Sequence, residues 1–293
     1  MTILELLNWS TNYLRDYRIE NPRLNAELLL AHSLNLSREG LYIHLHGQVK
    51  EKEKEALERM IERRIRGEPL QYILEHQEFW SFDFKVNPRV LIPRPETELL
   101  VEQALLVLSK DDFETTHFVL ELGTGSGAIA ISLAKELKDV FLVATDISRD
   151  ALVLAMENAK SAGLIHQIEF VNGDLFAPFR FFRERRPFDL ILSNPPYINR
   201  SEIQGLPKEV KDYEPISALD GGEDGLEFYR SVTSQAPFYL RKGGWLLLEV
   251  GQGQGSKVSD MIEKGGCFNM PELIRDFSGI ERVVKTQKVE GGK

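Results

Sequence analysis

The chain reads as an α/β protein: a doubly wound, mostly parallel sheet joined to a small N-terminal helical domain. Three observations lead there. Residues 1–75 show helical periodicity only. From about residue 117, short apolar runs alternate with helical segments. A glycine-rich turn, Gly123 to Gly127, separates the first of those runs from the helix after it. Such alternation favours a parallel sheet with helices on both faces and binding chemistry beyond the C-terminal strand ends.

The elements follow in order. "MTILELLNWSTNYLRDY" places Ile3, Leu6, Leu7 and Leu14 at helical spacing. "NPRLNAELLLAHSL" opens with Asn21 as the predicted N-cap and Pro22 at the first helical position. "EKEKEALERMIERRIRG" carries charge pairs at helical spacing and stops at Gly67. "HQEFWSFDFKVNP" alternates aromatic and polar residues, which predicts a β-hairpin bridging the two domains. A helix is expected over "PRPETELLVEQALLVLSK", starting near Pro95. "HFVLEL", "VFLVATD", "IEFVNGD", "FDLILS" and "WLLLEV" then read as strands, with helices over "GAIAISLAKEL", "SRDALVLAMENAKSAG" and near "GLEFYRSVTSQA". "NMPELIRD" and "ERVVKTQK" complete seven strands, one of them antiparallel. The predicted boundaries are 1–75 for the helical domain, 76–93 for the hairpin linker and 94–293 for the catalytic domain.

Composition narrows the class. The 293 residues are 42% hydrophobic and 28% charged, so the chain can bury a full core. A formal charge of −9 argues against a surface devoted to phosphate backbone. Residues 1–75 hold 11 Lys/Arg and 12 Asp/Glu against 25 and 33 in the remainder, so the acidity lies in the second part. Glu5 interrupts the first apolar run, no basic segment precedes it, and no run has the length of a membrane span. The single cysteine, Cys267, cannot form an internal disulfide and reads as a small apolar filler. A soluble cytoplasmic protein is expected. The six histidines show no ligand spacing, and no metal site is expected.

Functional residues gather at the strand ends. "LELGTGSGAIA" sets Gly123, Thr124, Gly125, Ser126 and Gly127 between strand and helix, where glycine lets backbone approach a ligand. Glu121 precedes that turn, and Asp146 ends the next strand, where an acid suits ribose hydroxyls. Asp174 follows the third strand, with Leu175 beside it, a pair suited to the amine and ring face of an adenine. Each acid alone also reads as a cap or turn residue. Three in succession around one glycine turn fit S-adenosylmethionine better than a dinucleotide, because the third glycine comes one residue early for the pyrophosphate fingerprint.

The fourth strand leads into "SNPPYI". Proline ends a central strand, so Asn194, Pro195, Pro196 and Tyr197 form a rigid exit beside the bound cofactor's methyl group. The Asn194 side-chain carbonyl and the Pro195 backbone carbonyl are two acceptors suited to one NH₂ group. Accepting from both its hydrogens can favour pyramidalisation of a conjugated nitrogen and turn its lone pair toward the methyl. Tyr197 offers a flat face for a planar substrate.

Here the sequence resembles a known family. "NPPY" after the fourth strand is similar to the motif of methyltransferases acting on planar nitrogen. "GEPLQYILEHQEFWSFDFKVNPRVLIPRPETELL", "YEPISALDGGEDGLEFYR" and "GGWLLLEVGQGQG" resemble the HemK/PrmC family of peptide chain release factor glutamine methyltransferases over nearly the whole chain. The resemblance implies a class I S-adenosylmethionine-dependent methyltransferase, Rossmann-like, with a mostly parallel seven-stranded sheet. It implies methylation of the glutamine amide in the Gly-Gly-Gln motif of class 1 peptide chain release factors, in translation termination. Carried over, Gly123 to Gly127, Asp146, Leu175 and Asn194 would contact the cofactor, and Asn194, Pro195, Pro196 and Tyr197 the glutamine. Leu175 stands where members carry an aromatic, so it would touch adenine without stacking. Arg94, Glu96 and Thr97 of "IPRPETE" would close over the cofactor's methionine end. No membrane or specific nucleic-acid partner is implied, and a monomer is expected. Arg59, Arg63, Arg64 and Arg66 read as a solvated helix face or a docking site.

The main alternative is a DNA adenine-N6 methyltransferase, which shares "NPPY" but needs a basic surface for duplex and base flipping. A non-catalytic nucleotide-binding module is the third reading, and it leaves "NPPY" without a purpose.

Overall fold

The computed structural model describes residues 1–109, 116–180 and 187–289. Lys110, the last residue of the helix expected from Pro95, lies outside them. Two compact units form, residues 1–76 with 207–213 and residues 77–206 with 214–293.

The first unit is helical: α1 (Ile3–Asp16), α2 (Pro22–Leu34), α3 (Arg38–Ile43), α4 (Glu51–Ile65), α5 (Leu70–Leu74) and, from the later segment, α9 (Lys208–Lys211). Thr2 and Glu5 close a reciprocal capping box on α1: Thr2 Oγ1 accepts from Glu5 N at 3.2 Å, and Glu5 Oε2 accepts from Thr2 N at 2.8 Å. The apolar stripe of α1 is buried against α2 and α4. Asn21 departs from expectation. It holds the N-cap position of α2 in a left-handed conformation, φ 48°, and its side chain caps nothing. The Asn25 side chain instead bonds the carbonyls of Glu20 and Asn21, at 3.0 and 3.2 Å.

The arginines of α4 are largely engaged within the unit. Arg64, buried, donates to Asn25 Oδ1 at 2.8 Å and the Glu68 carbonyl at 2.9 Å, and pairs with Glu209 of α9 at 3.0 Å. Arg63 pairs with Glu68. Gly67 follows at φ +99°, the left-handed stop that glycine permits.

In the second unit, β1 (His76–Phe79) and β2 (Phe82–Lys85) form the expected hairpin. Its turn residues Trp80 and Ser81 both have positive φ, 51° and 58°, a type of turn more often built on Asn or Gly. Glu98 helps hold it by accepting from Trp80 N at 2.8 Å. After α6 (Glu98–Leu108) come β3 (His117–Leu122), α7 (Ala128–Glu136), β4 (Val140–Asp146), α8 (Arg149–Ser161), β5 (Ile168–Asn172) and β6 (Phe188–Ser193). α10 (Glu227–Gln235), β7 (Leu240–Glu249), α11 (Gly255–Gly265), β8 (Glu272–Arg275) and β9 (Glu281–Gln287) complete the unit. The sheet has seven strands in the order β5-β4-β3-β6-β7-β9-β8, parallel except that β9 runs against both its neighbours.

Alternation along the strands sorts side chains between two cores. Val119, Leu190, Leu192 and Leu247 face α6, α7 and α8. Leu120, Leu122, Ile191, Leu246 and Leu248 face α10 and α11. By the same alternation Glu121, Asn194 and Glu249 fall on the α6–α7 side. The strand order reverses between β3 and β6, where a parallel sheet opens a crevice at its C-terminal edge.

Candidate functional site

A cavity of about 410 Å³ occupies that crevice. Its size suits a nucleoside-sized ligand. The glycine turn forms one wall. Gly123 N and Thr124 N donate to the Thr145 carbonyl at 2.9 and 2.8 Å, which folds the turn over the end of β4. Gly127 has φ +82°, a conformation side chains rarely adopt, and a Cβ there would crowd Ile131 Cδ1 at 3.0 Å and Ala155 Cβ at 3.2 Å. Asn158 of α8 ties the turn to the hairpin, bonding the Ser126 carbonyl at 2.9 Å, the Lys85 carbonyl at 3.0 Å and Lys85 N at 2.9 Å.

Asp146 accepts from Gly125 N at 2.9 Å and Ser148 N at 2.8 Å while lining the cavity. Burial pushes its carboxyl up from 3.8, opposed by the Ser148 and Gly125 amides. The cap of α8 is Ser148, whose hydroxyl accepts from Ala151 N. Asp174 and Leu175 also line the cavity, and so does Ile147, 64% exposed. Leu175 sits at φ 45°, a conformation that leucine rarely adopts.

Glu121 lies elsewhere. It is fully buried on the α6–α7 side, accepts from Thr124 Oγ1 at 2.7 Å, and leaves Oε1 without a hydrogen-bond partner. Burial pushes its carboxyl up to about 7 from 4.5, against the lowering effect of the Thr124 hydroxyl. Below the unfolded value both states are protonated. As pH rises from 4.5 through about 7 the unfolded chain ionises while the folded one resists, so stability is lost across that window. Glu121→Gln is therefore expected to raise Tm relative to the parent protein more at pH 8 than at pH 5. Thermal melts at both pH values check this, and a difference independent of pH would contradict it.

β6 gives way to Asn194 and the two prolines. The Asn194 amide Nδ2 donates to Thr97 Oγ1 at 3.0 Å, which leaves Oδ1 for other partners. The segment after the prolines is held by "LDGGEDG". Ile198 N donates to the Leu219 carbonyl at 3.0 Å, Gly221 N to the Ile198 carbonyl at 2.8 Å and Arg200 N to the Gly222 carbonyl at 2.9 Å. A Cβ on Gly221 would meet the Tyr197 backbone at 2.8 Å, so only glycine admits this approach. Gln254 completes the clamp, donating to the Tyr197 carbonyl at 2.9 Å and the Gly225 carbonyl at 3.3 Å. Arg94 joins the segment before α6 to the same region: its Nη2 lies 2.6 and 2.8 Å from the two carboxylate oxygens of buried Glu214.

Of the residues named from sequence, Gly123, Thr124, Gly125, Ser126, Asp146, Asp174, Leu175, Asn194 and Pro196 line the cavity, as do Arg94 and Thr97. Glu121, Gly127, Pro195, Tyr197 and Glu96 are not among its lining residues; Tyr197 packs against the α10–α11 core. Sequence reasoning missed Ile147, Phe228, Asn158 and Gln254. An apolar residue directly after a strand-end acid was the available signal for Ile147.

Two family models match this chain: one described as PrmC N-terminal domain over residues 5–74, and one described as methyltransferase small domain over residues 97–206. The release factor glutamine methyltransferase of Geobacter sulfurreducens is 43% identical over 288 residues, covering 97% of this chain and 95% of its own length. That of Moorella thermoacetica is 41% identical over 282 residues, 96% of this chain and 97% of its own. Among solved structures, the hMettl16 catalytic domain in complex with MAT2A 3'UTR hairpin 6 aligns with a TM-score of 0.57 at 15% identity, over 80% of this chain and 83% of that one, a likeness of fold. The N-terminal helices, the class I methyltransferase sheet and the "NPPY" exit are thus parts of one inheritance, and this chain belongs to the release factor glutamine methyltransferase family.

Proposed function

We propose that this enzyme transfers a methyl group from S-adenosyl-L-methionine to the side-chain amide nitrogen of the glutamine in the Gly-Gly-Gln motif of class 1 peptide chain release factors. The observation that carries the reading is the orientation of Asn194 at the cavity: its amide nitrogen is engaged by Thr97, so its carbonyl is the group available to a substrate NH₂.

The cavity's donor set suits the cofactor. Asp146 would take the ribose hydroxyls, Asp174 the adenine amine, and Ile147 and Leu175 the ring faces; all four line the cavity. Arg94 and Thr97 line it beside the glycine turn and suit the amino-acid end. When bound, S-adenosylmethionine supplies a methyl already activated as a sulfonium. The protein's task is then to orient a weak nucleophile, which needs no strong base. Asn194 Oδ1 and the Pro195 carbonyl accept from the two amide hydrogens and turn the nitrogen lone pair toward the methyl. The new bond is carbon to nitrogen, the carbon–sulfur bond breaks with its pair left on sulfur, and the surplus amide proton passes to water.

Residues 1–75 would recognise the release factor, since a loop glutamine alone offers little area for specificity. The enzyme would act in the cytoplasm as a monomer; among the described residues no helix is long and apolar enough to cross a membrane. A labelled-methyl assay with release factor and duplex DNA in parallel tests the reading. Transfer to the release factor alone is expected, and faster transfer to DNA would favour adenine methylation.

A further inference from the structure

Gln254 stands where the exits of two strands meet, and both ends of its side-chain amide are engaged. Nε2 donates to the Tyr197 carbonyl at 2.9 Å and to the Gly225 carbonyl at 3.3 Å, and Oε1 accepts from Gly251 N at 3.1 Å. One side chain thereby joins the segment after β6, the end of β7 and the turn before α10. Gln254 also holds the N-cap position of α11, yet its side chain caps nothing in that helix. It is not among the residues lining the cavity, so contact with a ligand does not account for it either.

The surroundings leave room for this reach and for little else. A Cβ on Gly251 would lie 2.8 Å from Gln254 Oε1 and 2.9 Å from Tyr197 Cδ2. One on Gly225 would lie 2.5 Å from the Tyr197 carbonyl oxygen and 2.8 Å from Gln254 Nε2. A larger residue at either place would push the amide off the Tyr197 carbonyl.

What Gln254 holds bears on Pro195. The Tyr197 carbonyl and the Ile198 N–H belong to one planar peptide unit. Gln254 donates to the first, and the Leu219 carbonyl accepts from the second at 3.0 Å, so that plane is fixed from both sides. Upstream the chain is fixed at Ser193, which pairs with Leu248 in the sheet and donates through Oγ to the Leu122 carbonyl at 2.6 Å. Between the two anchors stand Pro195 and Pro196, whose rings close both φ angles. Few torsions remain, and the direction of the Pro195 carbonyl follows from where the anchors lie. Freeing the second anchor lets ψ of both prolines vary and the carbonyl swing.

We infer that Gln254 is a positioning residue that, through the peptide between Tyr197 and Ile198, holds the Pro195 carbonyl toward the reacting amide nitrogen. The inference rests on the role given to that carbonyl above, and its test separates the two. kcat and KM on release factor, calorimetric affinity for S-adenosylmethionine and Tm are measured for the parent, Gln254→Glu, Gln254→Met and Asn194→Ala, from pH 6 to pH 8. Gln254→Glu keeps the shape of the side chain. Ionised, it sets an oxygen against the Tyr197 carbonyl with no hydrogen between them; protonated, it carries one O–H that can donate there. Its kcat relative to the parent at the same pH should fall about tenfold or more at pH 8, roughly the loss of one hydrogen bond, and recover as pH is lowered. Gln254→Met, of similar length with no donor, should be slowed at every pH. KM and cofactor affinity should stay within about threefold in both, since the carbonyl acts in the transition state. A purely structural tie would lower Tm without a pH-dependent recovery of kcat. Should Gln254→Met unfold, the pH dependence of Gln254→Glu decides alone. A ratio of kcat values independent of pH, or parent-like kcat in Gln254→Met while Asn194→Ala is inactive, would overturn the inference and leave the function standing. No methyl transfer to the release factor by the parent enzyme would remove both.

Discussion

Asn194→Ala is expected to lower kcat about 10²–10³-fold while cofactor affinity stays within about tenfold, the usual effect of deleting one preorganised hydrogen-bond partner. The methyl donor carries its own activation, so little chemistry remains except holding the amide nitrogen in line. In the proposed role Asn194 would do so from a rigid exit. β6 ends at Ser193, and the backbone after the prolines is pinned by Gly221, Gly222 and Leu219. Gln254 holds the Tyr197 carbonyl from the other side. Asn194→Asp keeps an acceptor oxygen but adds a charge, and should be less damaging than alanine. Single-turnover rates at saturating cofactor check both variants, and a fall in cofactor affinity with no change in rate would contradict the assignment.

Asp146→Ala is expected to weaken binding of S-adenosylmethionine by about 1.5–3 kcal/mol, or roughly 10–150-fold in Kd, the worth of hydrogen bonds to a charged group. Asp146 does two things at once. It presents a carboxylate to the cavity, and it holds the glycine turn through Gly125 N and its own helix through Ser148 N. Alanine frees both amides, so part of the loss comes from a looser turn. Asp146→Asn keeps one acceptor oxygen and should fall between alanine and the parent. Calorimetry with the cofactor decides, and unchanged affinity in the alanine variant would remove Asp146 from the site.

What was legible in the sequence was whatever short-range pattern controls. The seven strands show as apolar runs because both faces of a parallel sheet are buried, and the glycine turn shows because Gly123, Gly125 and Gly127 all have positive φ, which side chains rarely adopt. Strand-end acids were visible one at a time. Their surroundings were not: Glu121 turns under the glycine turn to Thr124, while Asp146 and Asn194 on the same side of the sheet line the cavity. Thr97 and Gln254 reach the exit of β6 from separations of 97 and 60 residues in the numbering, and no periodicity links them. Asn21 shows the opposite failure: its backbone is left-handed, φ 48°, and not the extended conformation from which a capping side chain reaches the first helical amides.

In the proposed reaction the acceptor of the methyl group is an amide NH₂ oriented by Asn194. Mass spectrometry of a class 1 release factor after incubation with enzyme and cofactor tests it most directly, using the native factor beside one whose Gly-Gly-Gln glutamine is changed to glutamate. One added methyl is expected on the native glutamine and none at that position in the glutamate factor, which has no NH₂ to offer. A methyl found at the same site of the glutamate factor would contradict it.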